Sequence, residues 1–139
     1  MSARNIIHAL GYAGLIPFVI PAVLVTTSSG YADLAVLIAE TYAFGIICFL
    51  TGSWWGMASR ADSRSVILLS NIYFVTAFLI MFLTPAWWSF AASILLVGIF
   101  ALEQIDSLFP SLPHYYRKMR SILTLISGSS MLIIHFNRL

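Results

Sequence analysis

Charged side chains in this sequence fall in clusters, and the intervals between the clusters are almost wholly apolar. No charge occurs from Asn5 to Ala32, from Thr41 to Ser59, from Ser65 to Leu102 or from Ser121 to Asn137. A helix needs roughly 17–25 apolar residues to cross a hydrocarbon core, so each interval is near or above one membrane span, and the third is about twice that. The third interval must therefore turn once within itself. Thr84-Pro85 is the natural place, because proline lacks an amide donor, biases the residue before it away from helix, and is followed here by two tryptophans of the kind found at interfaces.

This pattern predicts an all-α integral membrane protein, a bundle of five transmembrane helices over Ala9–Thr27, Leu34–Met57, Ser65–Leu83, Ala86–Leu108 and Ser121–Phe136. The connections Ser28–Asp33, Ala58–Arg64 and Thr84–Pro85 are too short to hold a core, so residues 1–139 form one transmembrane domain. Only Glu103–Arg120, which overlaps the end of the fourth helix, has room for an ordered surface feature. Pro110-x-x-Pro113 within it reads as a break between spans rather than as a ligand for a proline-binding domain.

Composition agrees. A chain of 139 residues that is 60% hydrophobic and 9% charged, with a mean hydropathy of +0.96, cannot give a water-soluble domain a polar surface. The net charge of +2 does not point to nucleic acid, since so few basic residues cannot line a phosphate-tracking groove. Their placement points to topology instead. Arg4, Arg60, Arg64, Arg117, Lys118 and Arg120 fall on one side of a five-span chain and only Arg138 on the other, which puts the N-terminus in the cytoplasm or its equivalent and the C-terminus outside. A competing reading takes Met1–Gly30 as a cleaved leader; the length of its apolar run and its two prolines weigh against that. The single cysteine, Cys48, can form no intramolecular disulfide.

The stretch CFLTGSWWGMAS, Cys48 to Ser59, carries two tryptophans and two glycines. Trp54 and Trp55, with Trp87 and Trp88 on the fourth helix, read as belts at the two interfaces. Thr41, Gly45, Cys48, Gly52, Gly56 and Ser59 share one helix face, with Gly52-x-x-x-Gly56 its strongest element. Such a face lets another backbone approach, within the chain or across an oligomer.

Polar groups at membrane depth are costly and often functional. At about 1.5 Å per residue, Glu40 lies about 9 Å below the outer interface. Pro17 and Pro21 on the first helix free backbone carbonyls, and Thr76, Ser93, Ser129 and Ser130 come out at comparable depth. A carboxylate, freed carbonyls and hydroxyls in one layer have the composition of a proton or cation site. A second cluster lies at the cytoplasmic edge: Glu103, Asp106, His114, Arg117 and Arg120, with Asn71 about two turns inside the third helix. Glu103 and Asp106 share a helix face and can pair with Arg120 or Arg117. No paired-histidine spacing suggests a metal, and there is no phosphate loop, nucleophile elbow or Cys-x-x-Cys, so neither cofactor nor catalytic residue is expected.

Three blocks make the chain recognisable: LGYAGLIPFVI (Leu10–Ile20), YAFGIICFLTGSWWG (Tyr42–Gly56) and PHYYRKMRSILT (Pro113–Thr124). They resemble the transmembrane protein 69-like family, small inner-membrane proteins of bacteria and mitochondria, whose pattern matches at Pro17 and Phe18, at Phe49, Leu50, Gly52, Trp55 and Gly56, at Pro113 and Tyr115, and at Arg120, Leu123 and Thr124. His114 stands where the family tends to have tryptophan, and Met119 where it tends to have leucine. The resemblance implies a five-helix protein of the bacterial cytoplasmic membrane, or of the mitochondrial inner membrane in a eukaryote, and brings no biochemical activity with it. The sequence then supports a small, oligomeric translocator or channel for protons, cations or a small solute. The alternative is a non-catalytic accessory or assembly subunit of a larger membrane complex, with a lipid-modifying enzyme the weakest reading. The bilayer is the partner that composition itself names.

Overall fold

The computed structural model describes residues 2–27, 30–110 and 112–139. The first connection, expected over Ser28–Asp33, therefore lies partly outside the described residues. Among the described residues six α-helices follow in order: α1 (Ala3–Ala13), α2 (Ile16–Thr26), α3 (Ala32–Ala61), α4 (Arg64–Leu83), α5 (Trp88–Glu103) and α6 (His114–Phe136), with a 3-10 turn at Pro85–Trp87 before α5. With α1 and α2 counted as one broken span and the 3-10 turn joined to α5, five helices are long and apolar enough to cross a membrane. This is a multi-pass, all-helical architecture.

The first span begins earlier than its charge-free core and breaks in the middle. Ser2 caps α1, its Oγ accepting from the Asn5 N–H at 3.3 Å. The helix stops at Ala13 because Pro17 has no N–H to return to the Ala13 carbonyl. Gly14 and Leu15 form a turn there, and Pro17 sits in the first turn of α2, where its missing donor costs nothing. Pro21 is buried inside α2.

At 30 residues, α3 is about 45 Å long, more than the roughly 30 Å of hydrocarbon. It ends at Asp62, whose backbone is left-handed at φ 51°, a conformation Asp tolerates better than most residues. The Ser63 N–H then returns to the Ala58 carbonyl at 3.0 Å and the chain enters α4 at once.

The last two spans differ most from the charge-free runs. α5 ends at Glu103 rather than Leu108, because the following residues fold back to seat Phe109 against Trp54, with ring centres 5.1 Å apart. α6 starts at His114 rather than Ser121, taking Arg117, Lys118 and Arg120 into its first turns.

Within the bundle, α3 is flanked by α2, α4 and α5, and α6 closes the ring between α5 and α2. The core is built largely from small residues that let helices approach: Ala39, Ala43, Ala77 and Ala92 are fully buried. Large apolar side chains such as Leu37, Leu68, Phe82 and Leu125 point outward, the distribution a hydrocarbon solvent permits.

The close glycine contacts lie away from Gly45, Gly52 and Gly56. Those three have no side chain or neighbouring helix within 4 Å of where a Cβ would stand. The packing expected of them inside the chain is absent, because that face of α3 turns outward, and what remains there is an open strip. Gly98 and Gly128, with Gly11 and Gly14, are packed instead: a Cβ on Gly98 would collide with the Tyr73 hydroxyl, and one on Gly128 would touch Ser93 Oγ at 3.4 Å.

Candidate functional site

The two tryptophan pairs do not form belts as pairs. Adjacent residues on a helix point about 100° apart, so one of each pair turns inward. Trp54 and Trp88 are buried, whereas Trp55 and Trp87 are exposed. Each buried indole donates to a glutamate, Trp54 to Glu103 and Trp88 to Glu40, and these two bonds organise the two ends of the bundle.

At the end of the bundle that holds Arg138, Trp88 Nε1–H donates to the Glu40 carbonyl at 3.1 Å and Ser89 Oγ–H to Glu40 Oε1 at 2.6 Å. Arg138 Nη1 reaches the same Oε1 at 2.8 Å. Glu40 thus joins α3 to the start of α5 and the end of α6. The hydroxyls expected around it are elsewhere. Ser93 bonds the Gly128 carbonyl at 2.9 Å, Ser129 turns back to its own helix at the Leu125 carbonyl, 2.7 Å, Thr76 is exposed on α4, and Ser130 is buried on α6. Among the described residues none of these four hydroxyls bonds the Glu40 carboxylate, which takes Ser89 and Arg138 instead. His135 is buried at the same end of the bundle, its ring against those of Trp87 and Phe90.

At the opposite end Glu103 is the hub. Oε1 accepts from Trp54 Nε1–H at 3.1 Å and Oε2 from Arg120 Nε–H at 3.0 Å. Both partners of the ion pair are buried, at 2% and 8% side-chain exposure. Asp106, by contrast, lies in the open and pairs with Arg117 at 2.6 Å, while Arg117 also donates to the Phe109 carbonyl at 3.1 Å. These bonds tie α3, α5 and α6 together and hold the connection between the last two spans. His114 and Asn71 take no part: His114 is exposed, and Asn71 Nδ2–H donates to the Ile67 carbonyl on its own helix. Arg4 lies over the Tyr115 ring at 4.7 Å, and His8 stacks on the same ring, docking α1 against the start of α6. Among the described residues no three His, Cys, Asp or Glu side chains are arranged to hold a metal ion.

Between these ends lies a cavity of about 470 Å³, lined by α1, α2, α3 and α6 with Leu96 of α5. The break at Gly14–Leu15 makes it: α2 packs on both α3 and α6, whereas α1 follows α6 and draws away from α3. Gly11 and Gly14 form its wall because larger residues there would press on Met119 Sδ and the Tyr42 hydroxyl. Leu10 and Phe49, 68% and 71% exposed, stand among the lining residues on the outward surface, so the mouth opens sideways where the hydrocarbon would lie. Most of the lining is aliphatic or aromatic. Its polar lining residues are Tyr42 and Ser53 of α3 and Tyr116, Arg120 and Ser127 of α6. The second nitrogen of the Arg120 fork, Nη2, is buried and finds no hydrogen-bond partner among the described residues.

Residues 3–136 match the profile of a family described as "Protein of unknown function (DUF3429)". The chain belongs to this family. It is also similar to "Transmembrane protein 69" of Xenopus tropicalis, at 28% identity over 128 residues, which cover 88% of this chain and 50% of that protein. The chain therefore spans about half the length of this relative. No solved structure matches it. Residues of the three sequence blocks meet in space, since Gly11 and Phe18, Phe49 and Leu50, and Arg120 and Leu123 all line this cavity.

Proposed function

We propose that this protein is a non-catalytic membrane protein that binds a small hydrophobic or amphipathic molecule taken sideways from the bilayer. One observation carries the reading: a half-open, mainly apolar cavity of about 470 Å³, in the size range of small-molecule sites, where a few convergent polar groups orient a largely apolar ligand. Its small solute would be a lipid-phase one. The proton or cation route expected at Glu40 lacks comparable support, because Ser89 and Arg138 already engage the carboxylate and the hydroxyls are dispersed. In this reading the basic inner end faces the cytoplasm or the mitochondrial matrix and the C-terminus the opposite side. The open strip at Gly45, Gly52 and Gly56 is where a second copy or a larger membrane complex would pack.

Native mass spectrometry of the protein, released from micelles after incubation with single-chain alkyl probes, tests the reading. Wild type should retain one probe per chain, and Leu123→Trp, which fills the cavity from α6, should retain none. Equal retention by the two, or none by either, would overturn it.

A further inference from the structure

We infer that the cavity takes the uncharged hydroxyl head of a single-chain amphiphile, with the Tyr42 hydroxyl donating to that head's oxygen and the Gly11 carbonyl accepting its proton. The inference rests on the binding role proposed above and adds the chemistry of the ligand's head.

The break in the first span supplies the acceptor. Where α1 ends, the Leu15 N–H turns to the Tyr12 carbonyl at 3.0 Å instead of reaching back to Gly11, so the Gly11 carbonyl receives no hydrogen bond among the described residues. Gly11 lines the cavity and, having no side chain, lines it with backbone. An acceptor left bare in hydrocarbon is costly, which is why irregular backbone at membrane depth occurs where other polar groups can reach it. Broken membrane helices hold the polar parts of ligands for the same reason.

Tyr42 supplies the donor. Its ring packs edge-on against Phe18, with centres 5.2 Å apart. Its Oη lies 3.3 Å from the place a Cβ on Gly14 would occupy, and the Gly11 carbonyl oxygen lies 3.2 Å from that same place. The absent side chain of Gly14 thus leaves a space with a donor on one side and an acceptor on the other. Tyr42 is half-buried, and its hydroxyl bonds no described residue yet is not sealed from the cavity.

Three other polar groups of the lining are already engaged. Ser53 Oγ–H donates to the Leu50 carbonyl at 2.7 Å, Ser127 Oγ–H to the Thr124 carbonyl at 3.4 Å and Arg120 Nε–H to Glu103 at 3.0 Å. A donor beside an acceptor suits a hydroxyl, which gives and takes at a single oxygen. An ionised head is disfavoured, because the one charged residue of the lining, Arg120, has its counter-ion in Glu103 and a second charge would be desolvated without a partner.

The test compares four probes of equal chain length on the purified full chain in micelles: an alkanol, a methyl ether, a carboxylate and a plain alkane. On wild type the ether should bind about threefold to tenfold tighter than the alkane, and the alkanol tighter than the ether by a similar factor, each step being one neutral hydrogen bond. The carboxylate should gain nothing over the alkane. In Tyr42→Phe the ether should fall to the alkane's level while the alkanol keeps its lead, because the carbonyl that accepts from it is backbone. Tyr116→Phe, at the other tyrosine of the lining, should leave the wild-type order unchanged. That order decides the matter even if a variant does not fold. An alkanol no tighter than the ether would overturn the part given to Gly11. An ether no tighter than the alkane, or an ether preference lost in Tyr116→Phe and kept in Tyr42→Phe, would overturn the part given to Tyr42. Tightest binding of the carboxylate would overturn the charge argument. Equal binding of all four would overturn the hydroxyl assignment and leave the binding role standing, whereas binding of none would remove both readings together.

Discussion

Arg120 grips Glu103 through Nε at 3.0 Å, in a part of the bundle where neither side chain has more than 8% of its surface exposed. Removing one partner of such a pair strands the other's charge. Glu103→Ala should lower stability by about 3–5 kcal/mol, and it also leaves the Trp54 N–H without its acceptor. A double variant, Glu103→Leu with Arg120→Met, should recover much of that loss, since two apolar side chains of similar size strand no charge. Denaturant unfolding in micelles measures both, and a single variant no less stable than the double one would contradict the assignment.

The glycines give a paired expectation. Gly98→Ala forces a Cβ onto the Tyr73 hydroxyl and should cost about 1–3 kcal/mol, as overpacking does. Tyr73→Phe in the same chain should relieve most of it. Gly52→Leu enters open space and should leave a monomer's unfolding midpoint within about 0.5 kcal/mol. If Gly52→Leu instead splits an oligomer, as size-exclusion chromatography with light scattering would report, the outward strip of α3 is its interface.

Topology rests on the six basic residues at one end against Arg138 at the other. A cysteine replacing Arg138 should react with a membrane-impermeant maleimide only from the non-cytoplasmic side, and one replacing Lys118 only after the membrane is opened. Labelling with the two sides exchanged would reverse the orientation and put the Arg120 end of the cavity outside. The same Arg138 variant should be only slightly less stable, because an ion pair with a 45% exposed arginine contributes at most about 1 kcal/mol.

The five spans were legible because hydrocarbon excludes charge, and charge-free runs are a local property of sequence. Their ends were less so. α6 begins at His114, inside a basic stretch, because Glu103 and Asp106 neutralise Arg120 and Arg117, and those partners come from the end of α5 and the connection after it. Trp54 and Trp88 looked like their outward neighbours Trp55 and Trp87, since a tryptophan at the membrane edge and one donating to a buried carboxylate or carbonyl have the same position along a span. Helix rotation separates them, and it is set by packing. For the same reason Gly52-x-x-x-Gly56 suggested a contact that Gly98 and Gly128 make instead. The cavity was the least legible feature. Pro17 and Gly14 signal a break in the first span, but the walls come from helices far apart in sequence, and only their arrangement encloses an apolar space.

The most direct test of the central claim, that this space takes a molecule from the lipid phase, is to find where such a molecule sits. A long-chain alkyl diazirine photolysed with the protein in bilayers should mark Gly11–Phe18 and Leu123–Ser127 above the background on outward residues such as Leu68 and Phe82, and Leu123→Trp should abolish that excess. Marks spread evenly over the outward faces, with none concentrated in those two segments and no effect of Leu123→Trp, would contradict it.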